Sequence, residues 1–251
     1  MVADYYSQLA PYYKLIYPDW DASLQRQAAD LDGVIREYIG EQAKTVLDAA
    51  CGIGTQCIGL AKLGYAVTAS DLSPVAVEQA QREATRLQVQ IEFNVADMRQ
   101  VWQVYRRQFD LLIACDNSVP HLLTDGDILQ AFEQFYQCLR VGGGCLISVR
   151  DYARMDRPQG RRQIYPRLVH PAGSGQIVLL DVWHFEGAYY DITTYIIQDE
   201  GQAEASTQVL RGGRYYCVEI PQLENLFRSA GFREVIVLRE RYFQPLLVAL
   251  K

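Results

Sequence analysis

The chain has 251 residues, 49% hydrophobic and 22% charged, with a formal net charge of −6. Its length suits one domain with an elaboration and room for a sizeable core. The acidic balance speaks against a general nucleic-acid binder, which needs a basic face, and no apolar run is long enough to span a membrane.

The first twenty residues are crowded with aromatics: Tyr5, Tyr6, Tyr12, Tyr13, Tyr17 and Trp20. They suit packing against the domain, a lid over a site, or both. Leu24, Ala28, Leu31, Ile35 and Tyr38 then recur at alternating spacings of four and three, one face of an amphipathic helix that starts near Asp21 and stops at Gly40. The N-terminus has no basic-then-apolar leader, so the expected location is the cytoplasm.

Val46-Leu47-Asp48-Ala49-Ala50-Cys51-Gly52-Ile53-Gly54-Thr55 reads as a buried strand, a tight turn and the start of a helix closed by Gly64. Without a Cβ, Gly52 and Gly54 let the backbone turn sharply and approach a ligand. A second apolar run, Ala66–Ser70, ends in Asp71, nineteen residues after Gly52. A carboxylate at that strand tip is placed to accept both hydroxyls of a ribose. Ser73-Pro74 opens a helix running to about Leu87, with a hydroxyl cap and Pro in the first turn.

Residues 90–95 alternate as a third strand, ending at Ala96-Asp97-Met98, and Phe109–Cys115 is an apolar fourth strand leading into Asp116-Asn117-Ser118. A helix from about Asp127 carries Ile128, Phe132, Phe135 and Leu139, with Gly142-Gly143-Gly144 expected to end it. Cys145–Val149 is the fifth strand, leading to Arg150-Asp151-Tyr152. Five strand–helix alternations predict a parallel sheet with helices on both faces. Residues 176–186, 189–198 and 206–220 read as hairpin-linked strands of an antiparallel flap. Pro221–Ala230 is the last helix, and 235–238 with 246–250 close the sheet as an antiparallel pair.

The turn favours one cofactor class. A dinucleotide fingerprint needs a third glycine, and Cys57 stands at that position. A phosphate loop needs Gly-Lys-Ser/Thr, which is absent. An adenosyl group with an amino-acid tail remains. The six cysteines contain no C-x-x-C pair and read as reduced core thiols. No His cluster suggests a metal site, and His170 and His184 read as ordinary flap residues.

Asp48–Thr55, Asp71 and Asp97-Met98 resemble the first three motifs of class I S-adenosylmethionine-dependent methyltransferases. Asn117-Ser118-x-x-His121-Leu122 and Arg150-Asp151-Tyr152 are similar to Asn-Ser-Phe-Ala-His-Leu and Arg-Asn-Tyr of glycine N-methyltransferase. The resemblance implies a Rossmann-like seven-stranded sheet, mostly parallel with the last strand antiparallel, helices on both faces and a β flap after strand five. It divides the chain into an N-terminal aromatic lid and helix (1–43), a cofactor-binding core (44–150 and 220–251) and a substrate flap (151–219).

The resemblance also assigns roles. S-adenosyl-L-methionine would lie with its ribose on Asp71, beside Leu72, and its adenine on Asp97 and Met98. Ala50, Gly52, Gly54, Cys115, Asp116 and Ser118 would line the methionine portion. Arg26 would take the cofactor's carboxylate, with Tyr12 and Trp20 closing over the sulfonium. Arg150 would grip a substrate carboxylate and Asn117 would orient the amine or that carboxylate. Asp116, His121 or a flap tyrosine could accept the amine proton.

The leading expectation is an N-methyltransferase acting on a small-molecule acceptor such as glycine or sarcosine and releasing S-adenosyl-L-homocysteine. An O-methyltransferase of the same fold and a non-catalytic cofactor-binding protein are the alternatives. No nucleic-acid or membrane partner is expected, and a homo-oligomer stays open.

Overall fold

A computed structural model describes residues 2–160, 162–172, 175–201 and 204–251. Its central sheet has seven strands in the order β10-β11-β5-β4-β1-β2-β3. These are β1 (Thr45–Asp48), β2 (Ala66–Asp71), β3 (Glu92–Val95), β4 (Phe109–Ala114), β5 (Leu139–Ser148), β10 (Glu234–Leu238) and β11 (Leu246–Leu250). The strands from β1 to β5 pair in parallel, whereas β11 runs against both its neighbours, β5 and β10.

Successive strand side chains point to opposite faces, and each face finds its own helical layer. Val46, Leu111 and Ile113 pack with α2 (Trp20–Tyr38), α3 (Cys57–Lys62) and α4 (Pro74–Arg86). Their neighbours Leu47, Leu112 and Ala114 pack with α5 (Val101–Tyr105), α6 (Asp125–Cys138) and α7 (Ile220–Ser229). The expected Ser73 cap forms, accepting from the Ala76 N–H at 3.2 Å, and Asp19, just ahead of the expected start near Asp21, caps α2 by accepting from the Ala22 N–H at 2.9 Å.

Two expectations need correction. Gly142-Gly143-Gly144 does not end α6, which stops at Cys138; the glycines lie inside β5. A Cβ on Gly143 would come within 2.7 Å of the Asp110 carbonyl, so glycine is what lets β5 run close beside the start of β4. The flap also has one strand more than its periodicity shows. It is a four-stranded antiparallel sheet of β6 (Arg162–Ala172), β7 (Gly175–Glu186), β8 (Tyr189–Asp199) and β9 (Ser206–Tyr216). Pro166 and Pro171 break the pattern in β6, and proline belongs on edge strands, the place β6 occupies; its register slips between Pro166 and Val169.

The N-terminal segment is α1 (Val2–Leu9) followed by a 3-10 stretch, Ala10–Ile16. Tyr5 and Leu9 pack with Leu179, Ile196 and Leu210 of the flap, and the Tyr5 hydroxyl lies 2.8 Å from Thr194 Oγ1. All six cysteines are buried and free. Among the described residues no helix is long and apolar enough to cross a membrane.

Candidate active site

The carboxyl ends of β1, β2, β3 and β4 open into a cavity of about 460 Å³, roofed by Tyr6, Ala10 and Tyr13 of the N-terminal segment. That volume is ordinary for a small-molecule site. After β1 the chain turns at Gly52, φ +53°, where a Cβ would meet nothing within 4 Å. Since Gly52 lines the cavity, any side chain there would occupy space open to a ligand. The Gly52 and Ser73 N–H groups each donate to one oxygen of Asp71, both at 2.9 Å. Burial raises the Asp71 carboxyl above its ordinary value despite these donors.

At the far end, Arg99 joins two carboxylates, its Nη2 at 2.6 Å from Asp97 Oδ2 and its Nη1 at 2.9 Å from Asp127 Oδ1 of α6. Burial works to raise Asp97, but hydrogen bonds from the Arg99 side chain and backbone outweigh it and hold the carboxyl below its usual range. Leu72, Met98, Ala50, Cys115 and Ser118 complete that wall and the floor.

The loop after β4 is conformationally unusual. Asp116 and Asn117 both take the left-handed region, φ +57° and +63°, which side chains other than glycine rarely adopt and which points to a functional constraint. Asp116 faces the cavity and accepts from the Tyr13 hydroxyl at 3.1 Å. Asn117 turns the other way and is buried. Its Oδ1 accepts from the Arg150 backbone N–H at 3.0 Å and the Tyr152 hydroxyl at 2.9 Å. Arg150 Nη1 donates to the Tyr190 hydroxyl at 2.9 Å, and the guanidinium lies over Trp183 and Tyr215, 4.9 and 5.6 Å from the ring centroids.

His121 lines the cavity, with Nδ1 2.8 Å from the Arg214 carbonyl and Nε2 2.8 Å from the Tyr6 hydroxyl. A carbonyl only accepts, so Nδ1 carries the hydrogen and Nε2 accepts from Tyr6. Burial pushes the His121 pKa down to about 4, against the effect of the Arg214 carbonyl.

The structure therefore gathers Ala50, Gly52, Asp71, Leu72, Asp97, Met98, Cys115, Asp116, Ser118 and His121 around one cavity. Six expected residues stand outside that lining, two of them, Asn117 and Arg150, in the hydrogen-bonded group with Tyr152 and Tyr190. Gly54 closes the turn instead, its N–H donating to the Cys51 carbonyl at 2.8 Å. Arg26 is exposed on α2, donating to Ser23 Oγ at 3.1 Å, because Leu24 and Ala28 turn that helix's apolar face inward. Trp20 packs edge-to-face on Tyr17, and Tyr12 packs against the Tyr5–Leu179 cluster of the flap. Tyr6, Tyr13, Gln56 and Arg99 take cavity positions that motif reading missed; Arg99 was legible as the residue following Asp97-Met98. His184 lies in β7, and the side chain of His170 is outside the described residues.

Comparison with known proteins agrees with this geometry. Residues 46–143 match the methyltransferase domain family. A glycine/sarcosine N-methyltransferase of Parasynechococcus marenigrum is 31% identical over 137 residues, 55% of this chain and 48% of that one. A methyltransferase-named protein of Geobacillus sp. is 26% identical over 222 residues, 86% of this chain and 82% of that one. The chain thus spans about half the length of the glycine/sarcosine enzyme it matches. Among solved structures, Streptomyces venezuelae DesVI superposes with a TM-score of 0.77 at 21% identity, covering 95% of this chain and 96% of that one. The glycine turn, the acid-tipped second strand, the seven-stranded topology and these likenesses lead to one conclusion: residues 46–143 are a methyltransferase domain within a Rossmann-like methyltransferase fold, and its cofactor is S-adenosylmethionine.

Proposed function

We propose that the protein methylates the amine of a small substrate that carries a carboxylate, such as glycine or sarcosine. One observation carries this reading. The guanidinium of Arg150 sits among Trp183, Tyr190 and Tyr215, and among the described residues no carboxylate pairs with it. Its sequence neighbour Asp151 pairs with Arg239 and Arg154 instead. Withdrawing a cation from water without a counter-ion is costly, and a substrate carboxylate in a two-bond fork offsets that cost. The similarity to a glycine/sarcosine N-methyltransferase supports the same acceptor class.

The cavity suits the methyl donor. Gly52 leaves room where a Cβ would intrude, Asp71 presents acceptors toward a ribose, and Asp97 with Met98 would hold the adenine edge and face. Bound S-adenosylmethionine supplies a methyl on a sulfonium, together with a neutral thioether leaving group. The chain's task is alignment, worth about 7–11 kcal/mol when reacting groups are well oriented. Arg150 would fix the acceptor's carboxylate while Asn117, locked to Arg150 N–H and Tyr152, sets the height of the guanidinium. His121 is a weak base at a pKa of about 4; its role is to hold Tyr6, whose oxygen then accepts an amine N–H at the cavity wall.

A methyl-transfer screen over glycine, sarcosine, other amino acids, amino sugars and phenols tests the reading. Amino-acid turnover should fall about a hundredfold in Arg150→Ala, chiefly through KM. Phenol turnover undiminished in that variant would move the assignment to an O-methyltransferase.

A further inference from the structure

Among the described residues no arginine lines the end of the cavity remote from Asp97. Arg26 faces solvent, and among the described residues lining the cavity Arg99 is the one arginine or lysine. Arg99 stands at the Asp97–Asp127 end and is already bound to both carboxylates. With adenosine lying along Asp71 and Asp97, the amino-acid tail must extend toward the opposite end of the cavity, where Thr55, Gln56 and Asp116 stand.

That end is built from neutral groups and one carboxylate. Gln56 donates to Gln27 at 2.8 Å and Tyr242 donates to the same Gln27 oxygen at 2.6 Å. The Tyr13 and Tyr17 hydroxyls donate to Asp116 Oδ2 at 3.1 and 3.4 Å, and Gln244 Nε2 reaches Oδ1 at 3.5 Å. Among the described residues no ion pair engages Asp116; Arg150 senses its charge but is held on Tyr190. The Asp116 backbone is held in the left-handed region, with its N–H donating to Ser148 Oγ at 2.7 Å. The strained loop thus directs a carboxylate without an ion partner into the place the tail must reach.

We propose that Asp116 receives the α-ammonium of S-adenosylmethionine, and that the donor's amino-acid end is recognised through its amine rather than through an arginine-bound carboxylate. Tyr13 and Tyr17 keep the carboxylate oriented, coupling the N-terminal segment to an occupied donor site. The inference rests only on the donor assignment and is independent of the acceptor.

Calorimetric titration with S-adenosylhomocysteine and two analogues tests it, one lacking the amine and one lacking the carboxylate. Removing the amine should weaken binding to the native protein tenfold or more, and removing the carboxylate should weaken it less. Asp116→Asn keeps the shape and tolerates the left-handed backbone; it should bind S-adenosylhomocysteine about tenfold more weakly and no longer distinguish the amine-free analogue. Equal binding of the amine-free analogue by the native protein overturns the proposal, and so does unchanged discrimination in Asp116→Asn. That native-protein comparison decides the matter even if the variant fails to fold.

Discussion

Tyr6 and His121 are joined by a 2.8 Å hydrogen bond between the phenol and Nε2, although 115 residues separate them. The Tyr6 hydroxyl also lies 2.7 Å from that of Tyr215 in the flap. Because His121 Nε2 can only accept here, Tyr6 donates to it and Tyr215 donates to Tyr6. The N-terminal segment, the loop after β4 and the flap thus meet at one phenol oxygen on the cavity wall.

With its hydrogen committed to His121, that phenol would, under the proposed function, orient the acceptor rather than take a proton. Tyr6→Phe should lower kcat for the amine acceptor about tenfold, the worth of one well-placed hydrogen bond in the transition state. Binding of S-adenosylhomocysteine should stay within about twofold, because the substitution keeps the ring that lines the cavity and removes only the hydroxyl bound to His121. The rate should rise with pH along the acceptor amine's own ionisation, in Tyr6→Phe and native protein alike. An inflection between pH 6 and 7 that disappears in His121→Gln would instead make His121 the base.

At Gly52 the prediction separates binding from folding. Gly52→Val places a side chain into open cavity, so S-adenosylhomocysteine affinity should fall beyond about a hundredfold in titration. The left-handed backbone, φ +53°, adds a stability cost of about 1–2 kcal/mol for a residue with a Cβ. A variant that melts slightly earlier yet binds normally would show that the donor does not pass over this turn.

What the sequence made legible follows from what periodicity encodes. Strand alternation and helical spacing record which face is buried, so the doubly layered sheet and the acid-tipped strands could be read directly. Gly142–Gly144 misled because glycine reports backbone space without saying whether the need is a helix end or two strands in close approach. The N-terminal segment misled for another reason. Its tyrosines are nearly continuous, so composition reveals an aromatic layer but not that Tyr6 and Tyr13 face the cavity while Tyr12 faces the flap. Arg26 stands outside the cavity lining because of helical phase: it lies on the face opposite Leu24 and Leu31, and exposure there is what the amphipathic pattern demands.

The Arg99 bridge gives a third prediction. By tying Asp97 to Asp127, it connects the loop after β3 to α6 across the end of the cavity proposed for adenosine. Arg99→Met keeps the aliphatic bulk and removes the bridge, leaving two carboxylates facing each other. Affinity for S-adenosylhomocysteine should drop about tenfold, with the loss greatest at neutral pH and shrinking as Asp97 becomes protonated in acid. Equal affinity in native and variant protein at pH 7 would show that Asp97 needs no support from Arg99.

Asp48 supplies a stability test with a definite sign. It is 1% exposed, accepts from the Ala50 N–H at 3.2 Å, and its second oxygen Oδ2 finds no hydrogen-bond partner. Burial pushes its pKa up to about 8, with the nearby Asp71 adding to the rise. Unfolded, an aspartate titrates near 3.9. Between those values the native state binds a proton that the unfolded state has released, so the stabilising contribution is complete below about pH 4. It is lost progressively as pH rises to about 8. Asp48→Asn removes the titration while keeping the shape. Its stability relative to the native protein should therefore increase with pH across that window, at a slope of up to about 1.4 kcal/mol per unit for a single group. Chemical denaturation of both proteins from pH 5 to pH 9 measures the difference directly, and parallel curves would mean that Asp48 is ionised in the folded state throughout.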